Sequence, residues 1–508
     1  MNLGERIRKV LTLEPGAPAI EFRGDSYSWR YLDDIRARID AALAGAGLGP
    51  AAPIGVILRN RPAHIGAVLA LLASDRCLVT INAFASPQRI AADLAELRLP
   101  ALIADEQDWQ AEPIRNWART AGAMAISLRQ NEQPNAAVLP DAAKLGQGPF
   151  RAQLPGVAIE MLTSGTTGAP KRVALTYATL DDALGEGASK DAKLGILKVK
   201  DTPAIMYAPL VHVGGIFGLG LAVYEARPIA LLEKFELQEW LGLARKYRPK
   251  FASLVPAIIR TIYDADVAKE DLASLLAIRA GTAPLDIQTK RAFEDRYGIP
   301  ILVTYGATEF AGAATRWTLD EYQRHRETKY ASVGRACPGF ELRVVDRDTG
   351  AILPPEEIGI LEIKAERLGQ GSGWTKTTDL ASIDSEGFLF IHGRADDAII
   401  RGGFKVLPEM VADVFRKHPA VKDVAVIALA DSRLGQVPAA AIEIRPGMTP
   451  PSVADLEAFA RRHLVAYQVP VHYLVVDQLP RTSSMKVRLI AVREMFAAQA
   501  RSVGIQRV

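Results

Sequence analysis

The run Met161-Leu162-Thr163-Ser164-Gly165-Thr166-Thr167-Gly168-Ala169-Pro170-Lys171 passes from apolar residues to small, hydroxylated, glycine-spaced ones and ends on a cation. That composition suits a loop that grips phosphate. Gly165 and Gly168 permit backbone angles and close approaches that a Cβ would block, so successive N–H groups can converge on an anion. Thr163, Ser164, Thr166 and Thr167 add hydroxyl donors, and Lys171 adds a charge on a flexible stem. The Walker pattern is excluded, because Ala169 and Pro170 stand before Lys171 and Arg172 follows it. A different nucleotide chemistry is implied. By themselves these residues read equally well as an ordinary surface turn.

Such a loop needs regular elements to hold it. From Trp29 to Leu48, Leu32, Ile35, Ile39, Ala42 and Leu43 recur at helical spacing, with a stop at 45–50. Strand-like runs follow at 53–58, 77–81, 101–104, 203–207 and 251–255, with helical stretches at 63–73 and 240–247. Strands alternating with helices predict stacked α/β layers. After about Arg335 the residues at 341–345 and 359–363 alternate in and out, and 382–390 reads as a hairpin, so an antiparallel subdomain is expected there. The last hundred-odd residues read as a small α+β unit: helices at 408–418 and 452–463, strands at 424–427 and 439–444.

A chain of 508 residues exceeds one compact core, so at least two domains are expected. Its 61 basic and 58 acidic residues leave a net charge of +3 with no block of one sign, which speaks against a nucleic-acid partner. Cys77 and Cys337 allow at most one disulfide and lack metal-site spacing. The first twenty residues lack a signal-peptide pattern, and the apolar stretch 65–73 is too short to span a bilayer. A soluble cytoplasmic protein is expected, its oligomeric state left open with a homodimer among the options.

The eleven-residue run resembles the phosphate-loop signature of the adenylate-forming superfamily, which includes acyl-CoA synthetases, adenylation domains of peptide synthetases and luciferases. Further motifs match in the family's order: Pro209-Leu210-Val211-His212-Val213-Gly214-Gly215, Gly281-Thr282-Ala283-Pro284-Leu285, Tyr305-Gly306-Ala307-Thr308-Glu309, Trp374-Thr375-Lys376-Thr377-Thr378-Asp379, Gly393-Arg394-Ala395-Asp396-Asp397, Arg401-Gly402-Gly403-Phe404-Lys405-Val406 and Leu479-Pro480-Arg481-Thr482-Ser483-Ser484-Met485-Lys486. The resemblance spans nearly the whole chain. It implies a large N-terminal domain of stacked α/β layers (1–395) with a small β-barrel-like subdomain, and a smaller, mobile α+β lid (396–508) with its hinge at Asp396.

It also implies roles. Thr163 to Gly168 and Lys171 would hold the β- and γ-phosphates of ATP, Thr308 the α-phosphate, and Glu309 a Mg²⁺ ion. Gly281, Thr282, Ala283 and Pro284 would flank the adenine on one side and Tyr305 on the other. Asp379 and Arg394 would reach the ribose. His212 would abut the acyl carboxylate, Lys486 would enter from the lid for adenylation alone, and Gly402 and Gly403 would admit the pantetheine arm of coenzyme A. His212, Val213, Gly214, Gly215, Ala280, Thr304, Gly306, Ala311 and Gly312 would line a roomy acyl pocket for an aryl or medium-to-long-chain acid. Arg279 has two readings: a partner for a second carboxylate on a dicarboxylic acid, or the commoner structural ion pair.

The implied activity is an AMP-forming acid–thiol ligase acting on a carboxylic acid, ATP and CoA. Three alternatives are a stand-alone enzyme that loads a carrier protein, a non-catalytic nucleotide-binding homologue and, more remotely, a luciferase-like oxygenase. The chain departs from the family at Thr378, where glycine is usual before the ribose aspartate, at Met485, where glycine usually precedes the lysine, and at Ile400, where many relatives are basic. If position 485 needs a positive φ, methionine strains the loop.

Overall fold

The computed structural model describes residues 1–130, 135–139, 144–162, 171–365, 373–395, 398–401, 404–431, 433–482 and 485–502. Five parallel strands form the middle of the largest sheet, in the spatial order Met124–Leu128, Ala101–Asp105, Pro53–Leu58, Cys77–Asn82 and Val157–Leu162. Antiparallel strands Ala136–Val138 and Arg172–Thr176 close its two edges. Pro53–Leu58 is buried at every position, as a near-continuous apolar strand must be when both faces are covered. The helix Pro62–Ala73 is likewise buried throughout and packs on Trp29–Gly45, so its apolar residues form no one-sided stripe.

A second sheet has the order Ala204–Met206, Ile229–Leu231, Pro18–Phe22, Asp25–Ser28, and a third is the parallel set Phe251–Leu254, Ala277–Ala280, Ile301–Val303. The helices Leu237–Tyr247, Pro256–Asp264 and Ile287–Tyr297 bury Trp240, Ile258, Ile259 and Phe293 together with Leu254, Ile278 and Ile301 of that third sheet. The α/β layering expected from alternation is the observed one. The helix Leu3–Leu13, capped by Asn2 and Glu5, lies outside the expected elements.

The antiparallel subdomain begins about thirty residues before Arg335, where the sequence texture changes: Tyr305–Ala307 pairs with Gly312–Arg316, which pairs with Arg335–Ala336. The first and last of these strands span three and two residues, too short for in–out alternation to register. The strands Phe340–Val345, Gly359–Ala365, Thr375–Ile383 and Leu389–Arg394 follow as an antiparallel meander. Its last turn is fixed by Asp384, whose carboxylate accepts from the N–H groups of Glu386 and Phe388 at 2.9 Å. Among the described residues these two sheets are joined by an Arg335–Phe388 bridge without closing into a ring.

The smaller C-terminal domain is α+β. Val421–Asp431 and Gly435–Ile444 form a long hairpin, His472–Val476 adds in parallel, and the helices Pro408–Arg416, Val453–His463 and Leu489–Ser502 accompany them. Ser452 and Asp455 make a capping box at the start of Val453–His463. Cys77 and Cys337 are both buried and not joined in a disulfide. Among the described residues no helix is long and apolar enough to cross a membrane.

Candidate functional site

All five parallel strands of the large sheet end on one side, where open α/β sheets place their ligands. Thr163, Ser164, Gly165, Thr166, Thr167 and Gly168 lie outside the described residues, as do Asp396, Gly402 and Gly403. Leu162 and Arg172, which bracket the phosphate-loop positions, are paired across two antiparallel strands, and Lys171 is exposed beside them. Arg172 serves the scaffold: it donates to the Thr80 carbonyl and lies 3.7 Å from the buried Glu160.

The ribose-side candidates converge. The Tyr305 hydroxyl donates to Asp379 at 2.5 Å, and burial followed by the Asp379 charge pushes that phenol far above its ordinary range. Asp379 and Arg394 are register partners on neighbouring strands. The backbone N–H of Asp379 donates to the Thr377 hydroxyl, which itself donates to the Leu361 carbonyl. Thr378 has a use that glycine could not supply: its hydroxyl accepts from the Arg394 guanidinium at 2.6 Å, beside a backbone bond from Ala395 N–H to the Thr378 carbonyl that any residue could make. Thr377 and Thr378 thus aim the two groups expected at the ribose.

Lys486 comes from the C-terminal domain yet stands among N-terminal groups. Its ammonium is held below the usual lysine range by burial and then by the positive Arg394, with the Glu309 carboxylate opposing. His212 is pushed down to about 4 by burial and then by the Lys486 charge, so its imidazole is neutral at physiological pH. Three motif groups far apart in sequence, His212, Glu309 and Arg394, therefore lie within electrostatic range of one lysine. Thr308 and Glu309 sit in the short 3₁₀ turn Thr308–Phe310, with Glu309 exposed. No group of three or more metal-ligating side chains exists among the described residues, so a cation at Glu309 would draw its remaining oxygens from substrate and water, the habit of Mg²⁺.

His212 is the N-cap of the helix Val213–Tyr224, so the positive end of that helix faces the region where an acyl carboxylate would lie. Gly215 is there because the chain leaves no room: a Cβ would meet the Pro209 carbonyl oxygen at 2.2 Å. Gly306 has the same cause, with the Gly312 carbonyl oxygen at 2.1 Å. Val213, Thr304 and Gly312 are half-buried and Gly214 is exposed, whereas Ala280 packs into the core of the third sheet and Ala311 against Leu175 and Ala183. On the adenine-side loop Gly281, Ala283 and Pro284 flank Thr282, which takes a left-handed φ of +71°.

One positioning residue escaped the sequence reading. Asn60 is buried, donates to the carbonyls of Tyr207, Ala208 and Leu232 at 3.0, 3.1 and 3.2 Å, and accepts from Leu210 N–H at 2.9 Å. It fixes the segment that leads into His212. Its only sequence signal was a polar residue two positions past a fully apolar strand.

The sequence model of a family described as AMP-binding enzyme matches residues 7–371, and that of the AMP-binding enzyme C-terminal domain matches residues 411–486. A 4-coumarate–CoA ligase of Oryza sativa subsp. japonica is 26% identical over 505 residues, covering 94% of this chain and 88% of the relative. A 2-succinylbenzoate–CoA ligase of Bacillus pumilus is 25% identical over 496 residues, covering 93% and 94%. Among solved structures, ATP-bound MatB from Rhodopseudomonas palustris superposes with a TM-score of 0.80 at 23% identity, covering 98% of this chain and 99% of that one.

Proposed function

This chain belongs to the AMP-binding enzyme family, and on that footing we propose that it is an ATP-dependent carboxylic acid:CoA ligase. A carboxylate oxygen of the acid attacks the α-phosphorus of ATP, the bond to the β-phosphate oxygen breaks, and pyrophosphate leaves an acyl-adenylate. The CoA thiol, losing its proton, then adds to the acyl carbon, and AMP departs with the thioester left behind. Relatives named as CoA ligases favour free CoA over a carrier protein as acceptor.

The first step crowds a carboxylate against a triphosphate and sends more charge onto the leaving group. It needs positioned cations and dipoles rather than a protein nucleophile. Lys486, with its lowered proton affinity, would bridge the acid and the α-phosphate, and the N-terminus of Val213–Tyr224 would face the same carboxylate. Neutral His212 would pack against the acid without adding a second charge. Asp379 would accept from the ribose hydroxyls, with Arg394 and the Tyr305 ring beside it. Glu309 would hold Mg²⁺, which when bound neutralises phosphate charge. The phosphate-loop hydroxyls and Lys171, and Gly402 and Gly403 on the pantetheine side, complete this reading. So do a division at 395/396 and rotation of the C-terminal domain about Asp396 between half-reactions. A cytosolic setting fits two cysteines that form no disulfide.

What carries the proposal is the electrostatic coupling of Lys486 with His212, Glu309 and Arg394 across the two domains. It is tested by separating the half-reactions. Lys486→Ala is expected to lower acid-dependent pyrophosphate release by about 100-fold or more, while thioester formation from supplied acyl-adenylate and CoA changes less than threefold. Equal loss in both steps would count against the assignment.

A further inference from the structure

Resting on the ligase reading, we propose that the acid activated here carries a second anionic group, a carboxylate or sulfonate, remote from the carboxyl that is adenylated. Arg279 receives that group, and the Ser253 hydroxyl is a second donor. The structure removes the structural ion pair expected for Arg279: among the described residues no carboxylate lies within ion-pair distance of its guanidinium. Its one recorded contact is the Phe251 ring, 5.1 Å from the guanidinium carbon.

The backbone places this side chain on the face of the third sheet turned away from its core, on the strand that runs into Gly281. Parallel pairing sets Ser253, Arg279 and Leu302 abreast on one face of the third sheet. The opposite face carries Leu254, Ile278, Ala280 and Ile301 into the core, so Phe251, Ser253 and Arg279 all point the other way, and all three are exposed. Along Val213–Tyr224 and its cap, the solvent-accessible positions include Gly214, Gly218, Leu221 and Glu225, a stripe at helical spacing, while Gly215, Ile216, Leu219, Ala222 and Val223 are buried. That helix contacts Ala204–Met206 and Gly312–Arg316. Arg279 lies within electrostatic range of Glu225 at the helix's far end and of Arg316 on the strand Gly312–Arg316, which that helix contacts.

Both of those neighbours are committed elsewhere. Glu225 accepts from Ser189 N–H at 2.8 Å and pairs with Arg227 at 3.1 Å, and Arg316 pairs with Glu186 at 3.1 Å. Burial, followed by Arg316, lowers the proton affinity of Arg279. A guanidinium that is solvent-accessible, has no carboxylate partner among the described residues and is repelled by Arg316 is open to an anionic group on a ligand. Arg279 stands two residues before Gly281 of the adenine-side loop, roughly 7 Å along an extended strand, so the two acidic groups would be separated by a short chain or one aromatic ring.

The test compares pyrophosphate release with matched acids: butyrate against succinate, hexanoate against adipate, and 3-phenylpropionate against 3-(4-carboxyphenyl)propionate, with 3-sulfopropionate distinguishing sulfonate from carboxylate. At least one dianionic acid is expected to exceed its monocarboxylic partner by tenfold or more in kcat/KM. Arg279→Leu should abolish that preference, lowering kcat/KM for the dianion by about 100-fold and changing the monocarboxylate and the KM for ATP less than threefold. Arg279→Lys should restore part of it, which a purely structural loss would not. Preference for the monocarboxylate in every pair, or an equal loss for both members in Arg279→Leu, overturns the proposal. Calorimetric titration of the same acids separates the two readings: dianion-selective binding lost in Arg279→Leu without any pyrophosphate release would sink the ligase assignment and keep the anion site.

Discussion

Met485 holds a left-handed φ of +65° immediately before Lys486, in a hairpin where Thr482 N–H donates to the Lys486 carbonyl and Met485 N–H to that of Thr482. Hairpins of this kind take glycine at the left-handed position, and a side chain there costs about 1–2 kcal/mol. Glycine returns some of that gain through a freer unfolded chain, by about 0.5–1 kcal/mol. The difference predicts that Met485→Gly stabilises the protein slightly, raising the melting temperature by a degree or two, with Met485→Ala showing no gain because it keeps the Cβ. A second residue-scale prediction concerns pH. Lys486 has its proton affinity lowered by burial and by Arg394, with Glu309 opposing, so the alkaline limb of kcat/KM for pyrophosphate release should fall below the ordinary lysine range. Arg394→Gln removes a repelling cation and should move that limb to higher pH, whereas Glu309→Gln should move it to lower pH; limbs that stay put in both variants would detach Lys486 from the profile. His212, held near 4, contributes no limb above pH 5, and His212→Phe should leave the profile's shape intact.

The irregular segment that presents Lys486 is anchored at its base by a largely buried network. Arg481 donates to Asp423 at 2.5 Å and to the Met485 carbonyl at 3.2 Å, and the almost wholly buried Glu443 accepts from Leu479 N–H at 3.1 Å and pairs with Lys422 at 2.7 Å. Removing one partner strands the others in a low dielectric. Arg481→Met should therefore slow adenylation about tenfold or more while nucleotide affinity stays within twofold, a split readable from single-turnover rates and AMP binding. The sequence named Arg481 only as part of a motif, because its partners Asp423 and Glu443 sit on strands whose apolar pattern says nothing of which polar side chain turns inward. Elements with a sustained period were legible: Pro53–Leu58, Trp29–Gly45 and the capped Val453–His463 stand where apolar spacing and turn residues put them. What escaped was short or non-local. Tyr305–Ala307 is three residues long, and Asn60 acquires its purpose only when Tyr207, Ala208, Leu210 and Leu232 are brought around it.

At the scale of the whole molecule, motifs in order disclosed the family and suggested candidate site residues but not how the two domains would meet, because a contact between chain segments two hundred residues apart leaves no local period. The structure shows one such contact away from the nucleotide: Arg445 of the C-terminal domain lies 3.2 Å from Asp264 at the end of Pro256–Asp264, while its Nε donates to the Pro419 carbonyl at 2.9 Å. The pair exists in the same arrangement that brings Lys486 beside His212 and Arg394. If the C-terminal domain turns away for thioester formation, as proposed, Asp264–Arg445 belongs to the adenylating arrangement alone and weights the equilibrium toward it. Both side chains are mostly buried, and part-exposed pairs of this kind contribute about 0.2–1 kcal/mol, so the weighting is at most roughly fivefold. Asp264→Asn should then slow acid-dependent pyrophosphate release two- to fivefold and leave, or slightly quicken, the conversion of supplied acyl-adenylate to thioester. Raising salt from 50 to 500 mM should mimic the variant in the wild type and have little further effect on Asp264→Asn. Equal slowing of both half-reactions would mean that the ion pair supports the fold and has no part in choosing between the two arrangements.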